Sequence, residues 1–452
     1  MEEILKPIAI FLGLIFIMSC DKFLDAKPDQ KMTIPSNLND CDALLDNYSE
    51  MNTMYPVSGE AAADDYYLLD QNWESLYSPA QRAIYLWDAN VDISSDEWQG
   101  PNKIILMANQ VLEVLKTIDS TKDLDRYNRI KGSALFFRGY ALSQLANVFT
   151  LPYQKETAKD MLGLPLRLSP NVDYVAQRAS LEDTYKQIIA DLNESALLLP
   201  AISLYKSRPI KPAAYAALAR VGLVISDFDL AESAAKSSLS LYDELLDYNQ
   251  QSLHVFPSFE RANLEVLFDA STLPGELLYP LISKIDSSLL DLYQENDLRK
   301  LLYFMENEDG SFSFKGQYNG DIYSSIFSGI ATDEVYLTLA EAYARNNKVD
   351  LAMLKLNELM VTRWKKDFFV PFSASNSEQA IQIILHERRK ELVMRNIRWM
   401  DLRRLNQEPA FQKDLKRVIK GKAYTLGVDD KRYAFLIPLD VMGFAKLEQN
   451  ER

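Results

Sequence analysis

The 452-residue chain is 48% hydrophobic, 25% charged and 11% aromatic, and its 64 acidic against 49 basic residues leave a formal charge of −15. Such acidity excludes a nucleic-acid binder, whose affinity rests on Lys/Arg clusters that release counterions from phosphates. With 2 His and 2 Cys, neither a four-ligand zinc site nor a disulfide framework can be assembled; no metal or cofactor is expected, with an oxygen-ligated ion such as calcium left open.

Residues Ile8 to Met18 are an unbroken apolar run. It is shorter than the roughly 20 residues needed to cross a hydrocarbon core, and it fits the apolar part of a secretory signal. Ser19-Cys20 follows at once and resembles a lipobox, so residues 1–19 are expected to be removed and Cys20 acylated, leaving one body over 20–452. The alternative is an uncleaved anchor or a buried apolar arm. Cleavage removes Glu2, Glu3 and Lys6, so −15 becomes −14. More than one acyl chain, at about 0.8 kcal/mol per buried methylene, would tether that body to a membrane. Cys41, in an amphipathic stretch, reads as a packed thiol.

Further along, residues 61–98 carry Asp64, Asp65, Tyr66, Tyr67, Trp73, Tyr77, Tyr85, Trp87 and Trp98 without helical spacing, and read as a loop-rich region. From Lys103 onward the apolar residues fall on helical stripes: Ile104, Ile105, Ala108, Val111, Leu112 and Leu115, then Ala134, Phe137, Ala141, Leu145 and Val148. That is a first helix pair, over about 103–149. A second lies within about 182–241, with Asp227-Phe228-Asp229 as its turn, and a third opens the segment of about 332–405, with Asn346-Asn347-Lys348 as its turn. Ala231 and Ala352, near the start of each second helix, allow the close approach seen in tetratricopeptide repeats. A Pro-containing stretch, 151–170, and a loop-rich aromatic region, about 254–330, separate the pairs and exclude a solenoid of fixed period. The latter includes Tyr303, Phe304, Phe312, Phe314, Tyr318, Tyr323 and Phe327.

The segment from Ile384 to Arg404 is the most informative. On a continuous helix, Leu385, Arg388, Leu392, Arg395, Trp399 and Leu402 share one stripe, which puts two arginines on an apolar face. A buried guanidinium needs a carboxylate, and Glu334 and Glu341 are the candidate partners in a structural ion-pair lock, with an anion-binding site as the alternative.

With this signature the chain resembles the SusD/RagB family. Four further pieces in the same order carry the resemblance: Cys20-Asp21-Lys22-Phe23-Leu24-Asp25 with Lys27-Pro28; Tyr185 to Pro200; Tyr336-Leu337 through Ala342 with Leu356-Asn357; and Leu436-Ile437-Pro438-Leu439-Asp440 with Gln449-Asn450. The resemblance implies a mainly α protein, with tetratricopeptide-like helix pairs as scaffold and long irregular insertions carrying the binding surface. It also implies a lipid-anchored, surface-exposed outer-membrane protein of Bacteroidetes that captures nutrients for a SusC-like TonB-dependent transporter. The nutrient is a glycan or, in some members, a peptide, and no catalysis is implied.

For a glycan, aromatic faces must meet the C–H side of a pyranose while planar polar groups pair its hydroxyls. The residues proposed for this are Trp73, with Tyr66, Tyr67, Tyr77 and Asp65. An enzyme is not expected: acidic residues are plentiful but unplaced, and His254 and His386 accompany no nucleophile elbow or Gly-rich phosphate loop. A helical scaffold that binds only other proteins is the third reading, which the loop aromatics oppose.

Overall fold

The computed structural model describes residues 35–171, 173–253, 255–321 and 325–452. Cys20 and the whole targeting segment lie outside the described residues, as do His254 and Tyr323.

Helix α1 (Leu38–Leu45) starts where the Asn37 side chain accepts the N–H groups of Asn39 and Asp40, and it buries Cys41 and Leu45. Burial pushes the Cys41 thiol up to about 11, so it packs as an inert apolar group. Helices α2 (Asp96–Leu115) and α3 (Leu124–Phe149) pack together. The first begins at Asp96, ahead of Lys103, and it carries Pro101 within it, where a proline ordinarily argues for a break. Trp98, assigned to a loop by its spacing, is therefore a buried helix residue.

Helix α4 (Leu181–Leu198) packs on α3, and α5 (Lys211–Val224) packs on α6 (Phe228–Leu239). Next come α7 (Thr332–Arg345) with α8 (Val349–Met360), then α9 (Ser377–Glu391) and α10 (Arg398–Leu405). This is the mainly helical, tetratricopeptide-like architecture expected. Small residues set the spacing: a Cβ on Gly222 would lie 2.6 Å from the Ala231 nitrogen, so α5 and α6 meet backbone to backbone. Among the described residues, strands pair only in twos. The longest hairpin joins β1 (Leu415–Ile419) to β2 (Lys422–Leu426). Lys420 and Gly421 turn it, both at positive φ (52° and 72°), as a two-residue hairpin turn requires.

Two expectations are corrected. The aromatics of residues 302–328 are not a surface: Tyr303, Phe304, Phe314, Tyr318 and Phe327 are core residues. Tyr318 meets Phe327 edge-on at 5.3 Å, an arrangement that fills space between short strands that have no helical period. Nor is the Ile384–Arg404 stripe one helix. α9 ends at Glu391 and α10 begins at Arg398, with Met394 and Asn396 between them at φ 54° and 57°. No Gly or Pro marks this break. It is held by tertiary contacts: the Asn396 amide donates to the Pro56 carbonyl at 2.9 Å, and Arg395 reaches Asp333.

Buried ion pairs hold the helices to one another. Arg138 on α3 makes a bidentate pair with Asp191 on α4 (2.7 and 2.6 Å), and Arg220 on α5 does the same with Glu334 on α7 (2.7 and 2.6 Å). Arg404 on α10 takes Glu341 of α7 at 2.6 and 2.8 Å. Glu334 and Glu341 are thus claimed by Arg220 and Arg404. Arg388 turns instead to Asp401 (2.8 Å), with Glu334 at 3.9 Å, and Arg395 pairs with Asp333 (3.1 Å) while stacking 3.6 Å over the Tyr318 ring. The reason for the change of partner is geometric, because the break after α9 swings Arg395 away from Glu341. Burial opposes the charge on Asp401, yet Arg388 and Arg404 bring its carboxyl down to about 2.

Candidate functional site

A cavity of about 650 Å³ opens where three distant segments converge: Tyr48 to Met54 after α1, the strand Ser271–Thr272 with Leu273, and the turn Asn319-Gly320-Asp321. Its floor is a short antiparallel ladder, Ser271 opposite Phe327 and Thr272 opposite Ile326. Thr272 is fastened further, its hydroxyl donating to the Tyr55 carbonyl at 2.5 Å. The Asn319 amide donates to Ser271 Oγ (3.0 Å) and Ser325 Oγ (2.8 Å), while its oxygen accepts the Asp321 N–H (3.2 Å).

On the rim, the Arg261 guanidinium sits 4.7 Å over the Tyr48 ring and 3.3 Å from Asp269. Its side chain keeps 60% of its exposure, so donors are left facing solvent. Burial pushes the Asp269 carboxyl up, and Arg261 counters it. Gly320, at φ 71°, makes the turn possible, since a Cβ there would lie 2.5 Å from the Arg261 nitrogen. Gly320→Ala is expected to cost about 1–2 kcal/mol of stability and to displace Arg261. Urea unfolding checks the first effect, and an unchanged midpoint would contradict it.

A second cavity, of about 700 Å³, lies between residues 64–68, 85–87, 286–288 and 413–418. Several of its polar groups are already paired within the protein. Asp64 binds Arg398 (2.6 Å) and Lys413 (2.7 Å), which together with Arg389 hold its carboxyl well below the usual range despite burial. Arg417 is boxed by the rings of Tyr85 (4.0 Å), Trp87 (4.5 Å) and Tyr66 (5.2 Å), and donates to the carbonyls of Tyr85, Ala62 and Ala63.

The glycan candidates taken from the sequence do not come together as one surface. Tyr66 and Tyr67 line the second cavity. Tyr66 is buried, with its hydroxyl donating to the Ala61 carbonyl, and Asp65 is buried with Arg389 at 2.8 Å, so neither presents itself to a ligand. Adjacent Asp64 and Asp65 can both be buried here because Arg389 and Arg398 neutralise them, which spacing along the chain does not reveal. Trp73 is half-buried against the core, its indole N–H donating to the Arg82 carbonyl at 3.3 Å. Tyr77 is 92% exposed, and its N–H donates to Glu276, three residues beyond the cavity-lining Leu273. Tyr48, Arg261, Asn319 and Leu273 were missed, since no local pattern links them. The one signal was Asn319-Gly320, a turn dipeptide.

Paired helices thus carry an irregular cleft lined by loops and a short strand pair. A family model described as SusD-like, "starch-binding associating with outer membrane", matches residues 22–223, and a second, described as the SusD family, matches residues 330–435. The chain belongs to the SusD/RagB family.

Solved structures share the fold. A SusD superfamily protein from Bacteroides vulgatus is 21% identical, with 92% of this chain and 99% of that one covered at a TM-score of 0.75. One from Bacteroides thetaiotaomicron is 22% identical, covering 92% and 100% at 0.74. A SusD-like carbohydrate binding protein from Bacteroides vulgatus is 20% identical, covering 87% and 89% at 0.64. Comparison with curated proteins finds no match.

Proposed function

We propose that this protein captures glycans at the cell surface, binding them without catalysis in the cavity rimmed by Tyr48 and Arg261. In this reading it is tethered to the outer membrane through acylated Cys20 and hands its ligand to a SusC-like TonB-dependent transporter. The observation that carries the reading is the chemistry of the cavity. An aromatic ring with an overlying guanidinium meets a wall of amide and hydroxyl groups from Asn319, Ser271, Thr272 and Ser325, which suits the faces and rim of a pyranose. The second cavity serves less well, because a sugar would have to break ion pairs there. The family model's description and the carbohydrate-binding relative support the same class of ligand. No helix among the described residues is long and apolar enough to cross a membrane.

Calorimetric titration against a panel of neutral oligosaccharides tests the site. Tyr48→Ala and Arg261→Ala are each expected to weaken binding about tenfold, or 1.4 kcal/mol, and no shorter sugars should be released. Unchanged affinity in both variants would remove the cavity from consideration, and release of shorter sugars would make the protein an enzyme. Affinity for a neutral glycan should barely change with salt, because an uncharged ligand forms no ion pair with the site that salt could screen. Binding confined to peptides would favour the peptide alternative. Separately, Cys20→Ala is expected to leave a folded protein that no longer sediments with membranes, and its retention in washed membranes would contradict the anchor.

A further inference from the structure

In an acidic chain, the stretch between Glu194 and Asp227 contains no acidic residue, while it holds Lys206, Arg208, Lys211 and Arg220. Within it, the connection from α4 to α5 exposes apolar side chains that a soluble surface would hide. Leu204 is 94% exposed, Ile202 79% and Tyr205 60%, and Leu197, at the end of α4, is 74% exposed. The loop stands over a hollow of about 280 Å³ edged by Arg129 and Arg208. Such a cluster needs a partner.

The place of this loop in the fold indicates which partner. Arg208 stacks 5.6 Å from the Tyr205 ring and pairs through Nε with Asp46 at 2.7 Å, directly after α1. Arg126 and Arg129 of α3 hold Asp42 on the same helix. The loop is thus pinned to the element that leads back to Cys20: α1 has 8 residues, about 12 Å of helix. Fourteen residues lie between Cys20 and Pro35, a reach of about 50 Å at most. The acylated residue is therefore held within about 50 Å of the element to which the loop is pinned. Lys206 and Lys211 enter none of the described ion pairs and stand behind the apolar tip, Lys206 lying over the Tyr242 ring. Apolar and aromatic residues ahead of basic ones match a bilayer surface, where the tip enters the acyl boundary and the cations meet anionic headgroups.

We propose that residues 197–211 form a second membrane contact, in which Leu204 and Ile202 dip into the lipid surface and orient the tethered body beside its anchor. This rests on the reading of Cys20 as the lipidated residue. The test uses the full lipidated chain with Leu204→Cys carrying an environment-sensitive fluorophore, Cys41 being buried and unavailable for labelling. On vesicles of phosphatidylglycerol and phosphatidylcholine, emission is expected to rise about threefold, as it does in an apolar medium. A probe on Val370→Cys, a position 78% exposed outside this loop, should stay solvent-like. In an Ile202→Asp chain the rise at position 204 should be lost while the chain still sediments with vesicles.

Sedimentation reports the anchor and emission reports the loop, so the two readings fail separately. Solvent-like emission from a chain that sediments would overturn the proposal, as would an equal rise at both labelled positions. A rise seen only after a barrel partner is added would overturn it too, and would assign the loop to a protein interface.

Discussion

Arg299→Ala is expected to destabilise the protein by about 3–5 kcal/mol, because it strips a fully buried guanidinium from three buried carboxylates. Arg299 is 0% exposed and binds Asp297 (2.8 and 2.6 Å), Glu387 (2.5 Å) and Glu391 (3.0 Å). Lys390 shares Asp297 and Glu387 at 2.7 and 2.9 Å, and Arg363 shares Glu391 at 2.6 Å, so the cluster has no spare cation to move in. Burial alone would raise the Asp297 carboxyl, and Arg299 with Lys390 keeps it below its ordinary value instead. Urea unfolding at neutral pH measures the loss. A midpoint that hardly moves, less than about 1 kcal/mol, would mean that the cluster is hydrated and worth no more than a surface pair.

Glu60→Gln is expected to act in the opposite direction, and only above about pH 4.5. Glu60 lies in a short helix over residues 58–62, 2% exposed, where burial and then Asp65 push its carboxyl from 4.5 up to about 8. Below about 4.5 the group is protonated folded or unfolded; between there and 8 the folded protein alone keeps the proton. Stability therefore falls as pH rises through that window, because the unfolded chain ionises first. A shift of this size corresponds to several kcal/mol, about 5 at most, lost by pH 9. The amide carries no charge, while its oxygen can still accept the Arg398 N–H as Glu60 does at 3.3 Å. The variant should match the native protein at pH 4 and exceed it at pH 9 by a few kcal/mol. Glu265, which burial pushes up to about 7, leaves a residual slope in both proteins. An equal difference at the two pH values would show that burial leaves Glu60 titrating as it does in the unfolded chain.

Much of the scaffold was legible because helix periodicity is a local property. Ile104, Ala108, Val111 and Leu115 are spaced to lie on one face, and all are buried. Small residues at Ala231 and Ala352 signalled close helix contact, and both are fully buried. Legibility failed where a residue's role depends on what comes to meet it. Asp65 and Tyr66 carry the right chemistry for a sugar, but Arg389, 324 positions away, takes the carboxylate, and packing hides the ring. The break between α9 and α10 left only a faint trace, because Met394 has no preference for the positive φ it adopts, while Asn396, which tolerates positive φ, is also held by its bond to Pro56.

By itself the sequence determined the helical class, the paired arrangement, the net negative charge and the motif from Ile384 to Arg404 that carries the family resemblance. All of these are set by composition or by neighbours within a few turns. Only the tertiary structure decided the cavity and the partners of the buried arginines. Tyr48, Arg261, Ser271 and Asn319 converge across more than half the chain. By sequence Glu334 was a candidate partner for Arg388 or Arg395; in space it binds Arg220 at 2.6 Å and leaves Arg388 at 3.9 Å. A buried charge chooses the counter-charge with which it can be desolvated and bidentately bound, and that choice is made by the packing of helices, not by their order.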